Sequence, residues 1–165
     1  MSVSQISESS DPLRLQLFQS FIGQSMDQSI SPVGSWLNGT LLELDRGAMK
    51  VAFVVRRDMT NPMGILHGGI AAAILDDVIG TMVYALGRPF AFTSVNLNCD
   101  FLHAARLGES ITAHAFVVRE GKNIIHVEGE IVSQDNKIIA KCATNMIQTT
   151  IKIPELSLPE PEKKS

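Results

Sequence analysis

His67-Gly68-Gly69 and the adjacent pair Asp76-Asp77 are the residues of this chain best suited to chemistry. A helix beginning at Gly68 leaves its first N–H groups unpaired at the positive end of the helix dipole, and two glycines leave them uncovered. Such a place can polarise a carbonyl oxygen or hold a developing oxyanion. Asp76 and Asp77 interrupt a run from Gly68 to Leu86 whose only other polar side chains are Thr81 and Tyr84, and no Lys or Arg lies between Arg57 and Arg88. A buried carboxylate without a cation has a shifted pKa and is a candidate for proton transfer or nucleophilic attack. Each feature alone has an ordinary reading, close packing for Gly-Gly and a solvated face for Asp. Together, on a run with no obvious solvated face, they are the minimum needed to hydrolyse an ester or thioester.

Geometry sets a condition on that chemistry. Gly68 and Asp76 are eight residues apart, roughly 12 Å along a helix axis. Both must lie within about 3 Å of one reacting centre or its attacking water. One straight helix cannot meet that requirement, so a shared reaction needs groups from two copies of the chain. Asp76 and Asp77 point about 100° apart, so one can face outward to solvent or a subunit while the other stays inward.

The surrounding elements must position these groups. Asn61, Pro62 and Gly64 form a turn-like entry, no proline interrupts the run that follows, and Gly87-Arg88-Pro89 ends it. An all-round apolar helix of this kind belongs in a core. Its length also suits a membrane span, but two central aspartates would cost roughly 5–7 kcal/mol in a bilayer, so no membrane is expected. Leu13, Leu17 and Phe21, behind Ser10 or Asp11 as cap and Pro12, predict a short amphipathic helix, followed by a loop over Ser25–Pro32. Strand signals start near Trp36, and Asp45-Arg46-Gly47 separates Asn38–Leu44 from Met49–Val55 as a hairpin. After the helix, Phe92–Leu102 alternates as one strand. Thr93, Val95, Leu97, Cys99 and Phe101 share a face, and Ser94, Asn96, Asn98 and Asp100 share the other. Ser110–Arg119, Ile124–Ser133 and Lys137–Thr149 complete four antiparallel strands. The fold class is α+β, one sheet around one helix.

Composition narrows the partners. The 165 residues support one domain, with 45% hydrophobic and 19% charged residues, and the net charge of −3 is scattered, which gives no footprint for nucleic acid. Cys99 and Cys142 have no metal or CxxC spacing and read as small apolar residues in a reducing compartment. MSVSQISESS has neither the basic segment nor the apolar core of a signal peptide, so the cytoplasm is expected. No GxSxG elbow is present, and Cys99 and His103 would not meet along an extended strand.

Asn61, Gly64-Ile-Leu-His67-Gly68-Gly69, Asp76 and the segment Phe101-Leu-His-Ala-Ala-Arg-Leu-Gly-Glu109 resemble hotdog-fold acyl-CoA thioesterases of the phenylacetate-pathway and thioesterase-superfamily-member-2 type. The resemblance implies a hotdog domain over residues 35–150, with an N-terminal extension (1–34) and a polar tail (151–165). It implies that Asp76 is the catalytic carboxylate, as nucleophile or as base for water, and that the Gly68 N–H of a partner chain polarises the thioester carbonyl. Asn61 and His67 would shape the oxyanion end, and Ser94 would help hold the water. Asp77 receives no role beyond a neighbour at the dimer contact, and His103-Ala104 departs from the usual pattern. A homodimer is implied for the site, with pairing into a homotetramer. Coenzyme A enters as part of the substrate, so no separate cofactor and no metal are expected, and Arg56, Arg57, Arg88 and Arg106 are candidates for its phosphates. An acyl-chain dehydratase using His67 with Asp76, and a non-catalytic acyl-CoA-binding domain, are the competing readings.

Overall fold

The computed structural model describes residues 10–156. The Ser-rich start (1–9) and the last part of the polar tail (157–165) lie outside the described residues.

The Asp45-Arg46-Gly47 turn joins β1 (Thr40–Asp45) to β2 (Ala48–Val54), with Leu44 opposite Met49. Gly47 takes a φ of +87°, a left-handed position that favours glycine. Met49, Val51 and Phe53 alternate inward along β2. The strands β5 (Ser110–Glu120), β6 (Ile124–Ser133) and β7 (Ile138–Lys152) follow as antiparallel neighbours, and β3 (Phe90–Ser94) and β4 (Asn98–Phe101) both pair with β7. Among the described residues the sheet has seven strands in the order β1-β2-β5-β6-β7-β3, with β4 beside β7.

That sheet curls around α3 (Gly68–Ala85), which packs against β2, β3, β5, β6 and β7. The helix has the length and apolarity of a membrane span, 18 residues with mean hydropathy 1.4, and here the sheet covers one side of it. Ile74, Leu75, Val78, Ile79 and Met82 are fully buried. Gly129 of β6 permits the close approach: a Cβ there would lie 3.2 Å from Leu75 Cδ2 and 3.3 Å from Cys142 Sγ. Glu120, at the end of β5, ties the ends of the fold together. It accepts a two-pronged bond from Arg46 (2.7 and 2.9 Å) and one from Arg88 (3.2 Å). Burial alone would raise the Glu120 pKa, but the hydrogen bonds and charges of Arg46 and Arg88 outweigh it and hold the carboxyl below its ordinary value.

Four local expectations are corrected. Trp36 is not in a strand: Ser31 caps a second short helix, α2 (Pro32–Leu37), which ends on Asn38 in the left-handed region (φ +51°). In α1 (Pro12–Gln19), capped by Asp11, the inward residue is Arg14 rather than the Leu13-Leu17-Phe21 stripe, because its guanidinium finds the carbonyls of Tyr84 (3.2 Å) and Arg88 (3.0 Å) and the Tyr84 ring. Leu17 and Phe21 remain exposed. The single strand Phe92–Leu102 is broken over residues 95–97, where Asn96 leaves the ladder and accepts bonds from Thr144 Oγ1 and the Asn145 N–H. The break reverses the alternation, so Phe92 and Leu97 both pack on the core while Thr93 and Val95 face out. The helix is therefore followed by five strands rather than four.

Candidate active site

Asn61 builds the entry to α3. Its side-chain oxygen accepts the N–H groups of Met63 (3.0 Å) and Ile65 (3.4 Å), and its carbonyl accepts the Gly64 N–H. Gly64 adopts φ +74° to close that turn. His67 caps the helix: its Nδ1 accepts the Gly69 N–H at 2.9 Å, which leaves the neutral ring's proton on Nε2. The Gly68 N–H meets no acceptor among the described residues and lies at the first helical position. Asn61 and Gly68 line a cavity of about 390 Å³ with Phe101, Leu102 and His103. That cavity joins an unpaired dipole end to apolar walls.

Asp76 sits elsewhere, on the middle of the same helix. It is exposed within the single chain, and its Oδ1 accepts the Ser94 hydroxyl at 3.2 Å. The structure thus brings Asn61, His67 and Gly68 together at one end and Asp76 and Ser94 together at another. It does not bring the two groups together in one chain. The expectation that α3 lacks an open face is corrected: Asp76 marks a face that this chain's own sheet leaves uncovered.

Asp77, the next residue, has a raised pKa. Burial raises its pKa, the bond from Ser31 opposes that, and the charge of Asp76 adds to the rise. Ser31 Oγ donates to Asp77 Oδ1 (2.6 Å) while accepting the Gly34 N–H (3.1 Å), so one hydroxyl caps α2 and fastens it to α3. Gly34 allows that contact, because a Cβ there would stand 2.6 Å from Asp77 Oδ2. Asp77 is tied within its own chain to α2 through Ser31. The Ser31-Pro32 pair was the available signal, a capping residue followed by proline at the first helical position.

Cys99 and Cys142, distant in sequence, stand directly opposite on β4 and β7. Burial raises both thiols, Cys142 to about 12, with the charge of Asp76 adding to each. Neither suits nucleophilic attack. Among the candidate phosphate cations, Arg88 is buried and engaged with Glu120 and the carbonyls of Gly121 and Lys122. Arg56 is bound to the Trp36 and Leu37 carbonyls and to Asp58. Arg57 and Arg106 are exposed, on segments that border the Asn61 loop.

Residues 63–140 match the model of the thioesterase superfamily. Human acyl-coenzyme A thioesterase 13 is 28% identical over 103 residues, which are 62% of this chain and 74% of that protein. A phenylacetic acid degradation-related protein of Ralstonia eutropha, solved by crystallography, is 31% identical with a TM-score of 0.65, over 74% of this chain and 96% of that one. The PaaI protein of the Escherichia coli phenylacetic acid degradation operon matches in fold at 21% identity, with a TM-score of 0.74 over 88% of this chain and 100% of that one. The long helix wrapped by a curled antiparallel sheet is the hotdog fold. The chain belongs to the thioesterase superfamily and is a thioesterase, a hydrolase.

Proposed function

We propose that the chain hydrolyses acyl-CoA thioesters to a free acid and coenzyme A, in sites shared between two protomers. The carrying observation is the division of the chemistry within one chain. The uncovered Gly68 N–H and the Asp76–Ser94 pair lie at two stations of one helix, roughly 12 Å apart in rise. A dimer that apposes the two uncovered helix faces brings each Asp76 to its partner's helix start.

In such a site the partner's Gly68 N–H takes the thioester carbonyl as a hydrogen-bond acceptor, and its dipole end favours the oxyanion that forms on attack. Asp76 attacks the carbonyl carbon itself or removes a proton from the attacking water, with Ser94 fixing the carboxylate or that water. Collapse of the tetrahedral intermediate breaks the C–S bond and expels the coenzyme A thiolate, which takes up a proton. Where water attacked, the acid forms directly; where Asp76 attacked, water then cleaves the acyl–aspartyl anhydride to the free acid and restores the carboxylate. Asn61 holds the entry turn, and His67 holds the helix start through its cap. Human acyl-coenzyme A thioesterase 13 supports this choice of substrate by its name. Arg57 and Arg106, with no side-chain bond among the described residues, are the cations proposed for the phosphates.

The dehydratase reading would need His67 as a free proton carrier, and its Nδ1 is committed to the Gly69 N–H. The uncovered edge at β3, where Val95 and Thr93 face out, is the proposed joint between protomers, with a tetramer as the larger assembly. Two unbridged thiols opposite one another fit a reducing compartment, the cytoplasm. Release of free coenzyme A from a panel of acyl-CoAs tests the reading. Asp76→Asn should lose about three orders of magnitude or more in turnover, whereas Asp77→Asn should retain it. Equal turnover by Asp76→Asn and the native chain would contradict the assignment.

A further inference from the structure

A second cavity of about 60 Å³ lies between α3 and β3, bounded by Gly80, Val83, Tyr84, Phe92, Arg14 and Ile153. Its nearer wall, Gly80, stands one helical turn beyond Asp76. On a helix, residues four apart share a face, so Asp76, Gly80 and Tyr84 follow one another at steps of about 6 Å. On a strand, residues two apart share a face at about 6.6 Å, so Ser94 and Phe92 keep pace with Asp76 and Gly80. The Ser94–Asp76 hydrogen bond fixes the first pair, and the shared cavity fixes the second.

Gly80 keeps this seam open: a Cβ built there would meet nothing within 4 Å. The far end is closed by Arg14, 2% exposed, whose bonds to the Tyr84 and Arg88 carbonyls hold α1 across it. A chain extending further would have to break both bonds. The cavity is also small. An apolar cavity that takes a benzene ring measures about 150 Å³, more than twice this one.

We propose that the α3–β3 seam is the acyl pocket of the site, that it takes the end of a straight, unbranched acyl chain rather than an aryl group, and that Gly80 and Arg14 set the longest chain accepted. The inference rests on the thioesterase reading of Asp76. It assigns α1, which lies before the matched residues 63–140, a part in substrate choice.

The test compares kcat/KM of the native chain, Gly80→Ala and Gly80→Leu on butyryl-, hexanoyl-, octanoyl-, dodecanoyl- and phenylacetyl-CoA. Thermal unfolding serves as the check on fold, and Gly80→Ala should unfold no earlier than the native chain because alanine suits a helix better than glycine. The native chain should favour a straight-chain substrate over phenylacetyl-CoA by about tenfold or more. Gly80→Leu should lower the ratio of the native chain's longest good substrate to butyryl-CoA by about tenfold or more, with Gly80→Ala between them. An active native chain whose length profile is unchanged in both variants, or which prefers phenylacetyl-CoA, overturns the pocket and leaves the thioesterase reading standing. A native chain that releases coenzyme A from none of the five overturns both.

Discussion

At the scale of single residues, the proposed oxyanion donor is a backbone N–H and cannot be removed by truncating a side chain. Its position offers another route. Gly68 is the first helical residue after the His67 cap, the place where proline fits a helix best, and His67 already has the extended backbone (φ −63°, ψ +133°) that precedes proline. The nearest atoms to a Cβ at Gly68 would be those of the Phe101 ring, at 3.5 Å or more. Gly68→Pro should therefore fold with a native-like unfolding temperature and lose about 10²–10³ in kcat. Unchanged kcat would exclude this N–H as the donor.

Asp77 is a carboxylate with no assigned part in the reaction. Its pKa is raised by burial, so the stability linked to it is fully present below the ordinary carboxylate value and is lost as pH rises through the raised one. Asn at 77 can still accept the Ser31 hydroxyl and carries no charge. Asp77→Asn should unfold at a temperature about 1–2 °C higher at neutral pH and lose that advantage at low pH. Parallel pH profiles for the two proteins would contradict the assignment.

At the scale of elements, the Asp45-Arg46-Gly47 hairpin and the His67-Gly68 helix start were legible because local chemistry dictates them: a left-handed glycine in one, an N-cap in the other. Features that depend on distant partners were not. Arg14 takes the most buried position of α1 because two carbonyls across the fold accept its protons. The strand break over residues 95–97 is held by β7, which nothing in Phe92–Leu102 announces. The aspartate pair was legible as a feature, but which carboxylate is buried depends on α2 packing over Asp77. Glu120 is likewise a long-range device, joining the β1–β2 turn to the end of α3. Its lowered pKa means that its stabilising effect is present above the ordinary carboxylate value and is lost as pH falls through the lowered one. Glu120→Gln should cost about 1–3 kcal/mol in urea unfolding at pH 7, and the deficit should shrink in acid. A variant as stable as the native chain at pH 7 would show that Arg46 and Arg88 do not need this partner.

At the scale of the whole molecule, one chain keeps two half-sites apart, Gly68 at the helix start and Asp76 with Ser94 further along. Complementation between two inactive variants tests this division most directly. Asp76→Asn lacks the carboxylate and Gly68→Pro lacks the donor, so a mixed dimer holds one site with both defects and one site with neither. Unfolding the two chains together and refolding them at equal amounts should produce acyl-CoA thioesterase activity at about a quarter of the native level, since half of the dimers are mixed and each has one sound site. Activity at that level establishes a site built across the protomer boundary. No activity from a mixture in which mixed dimers are shown to form would contradict it, and would place carboxylate and donor in the same chain.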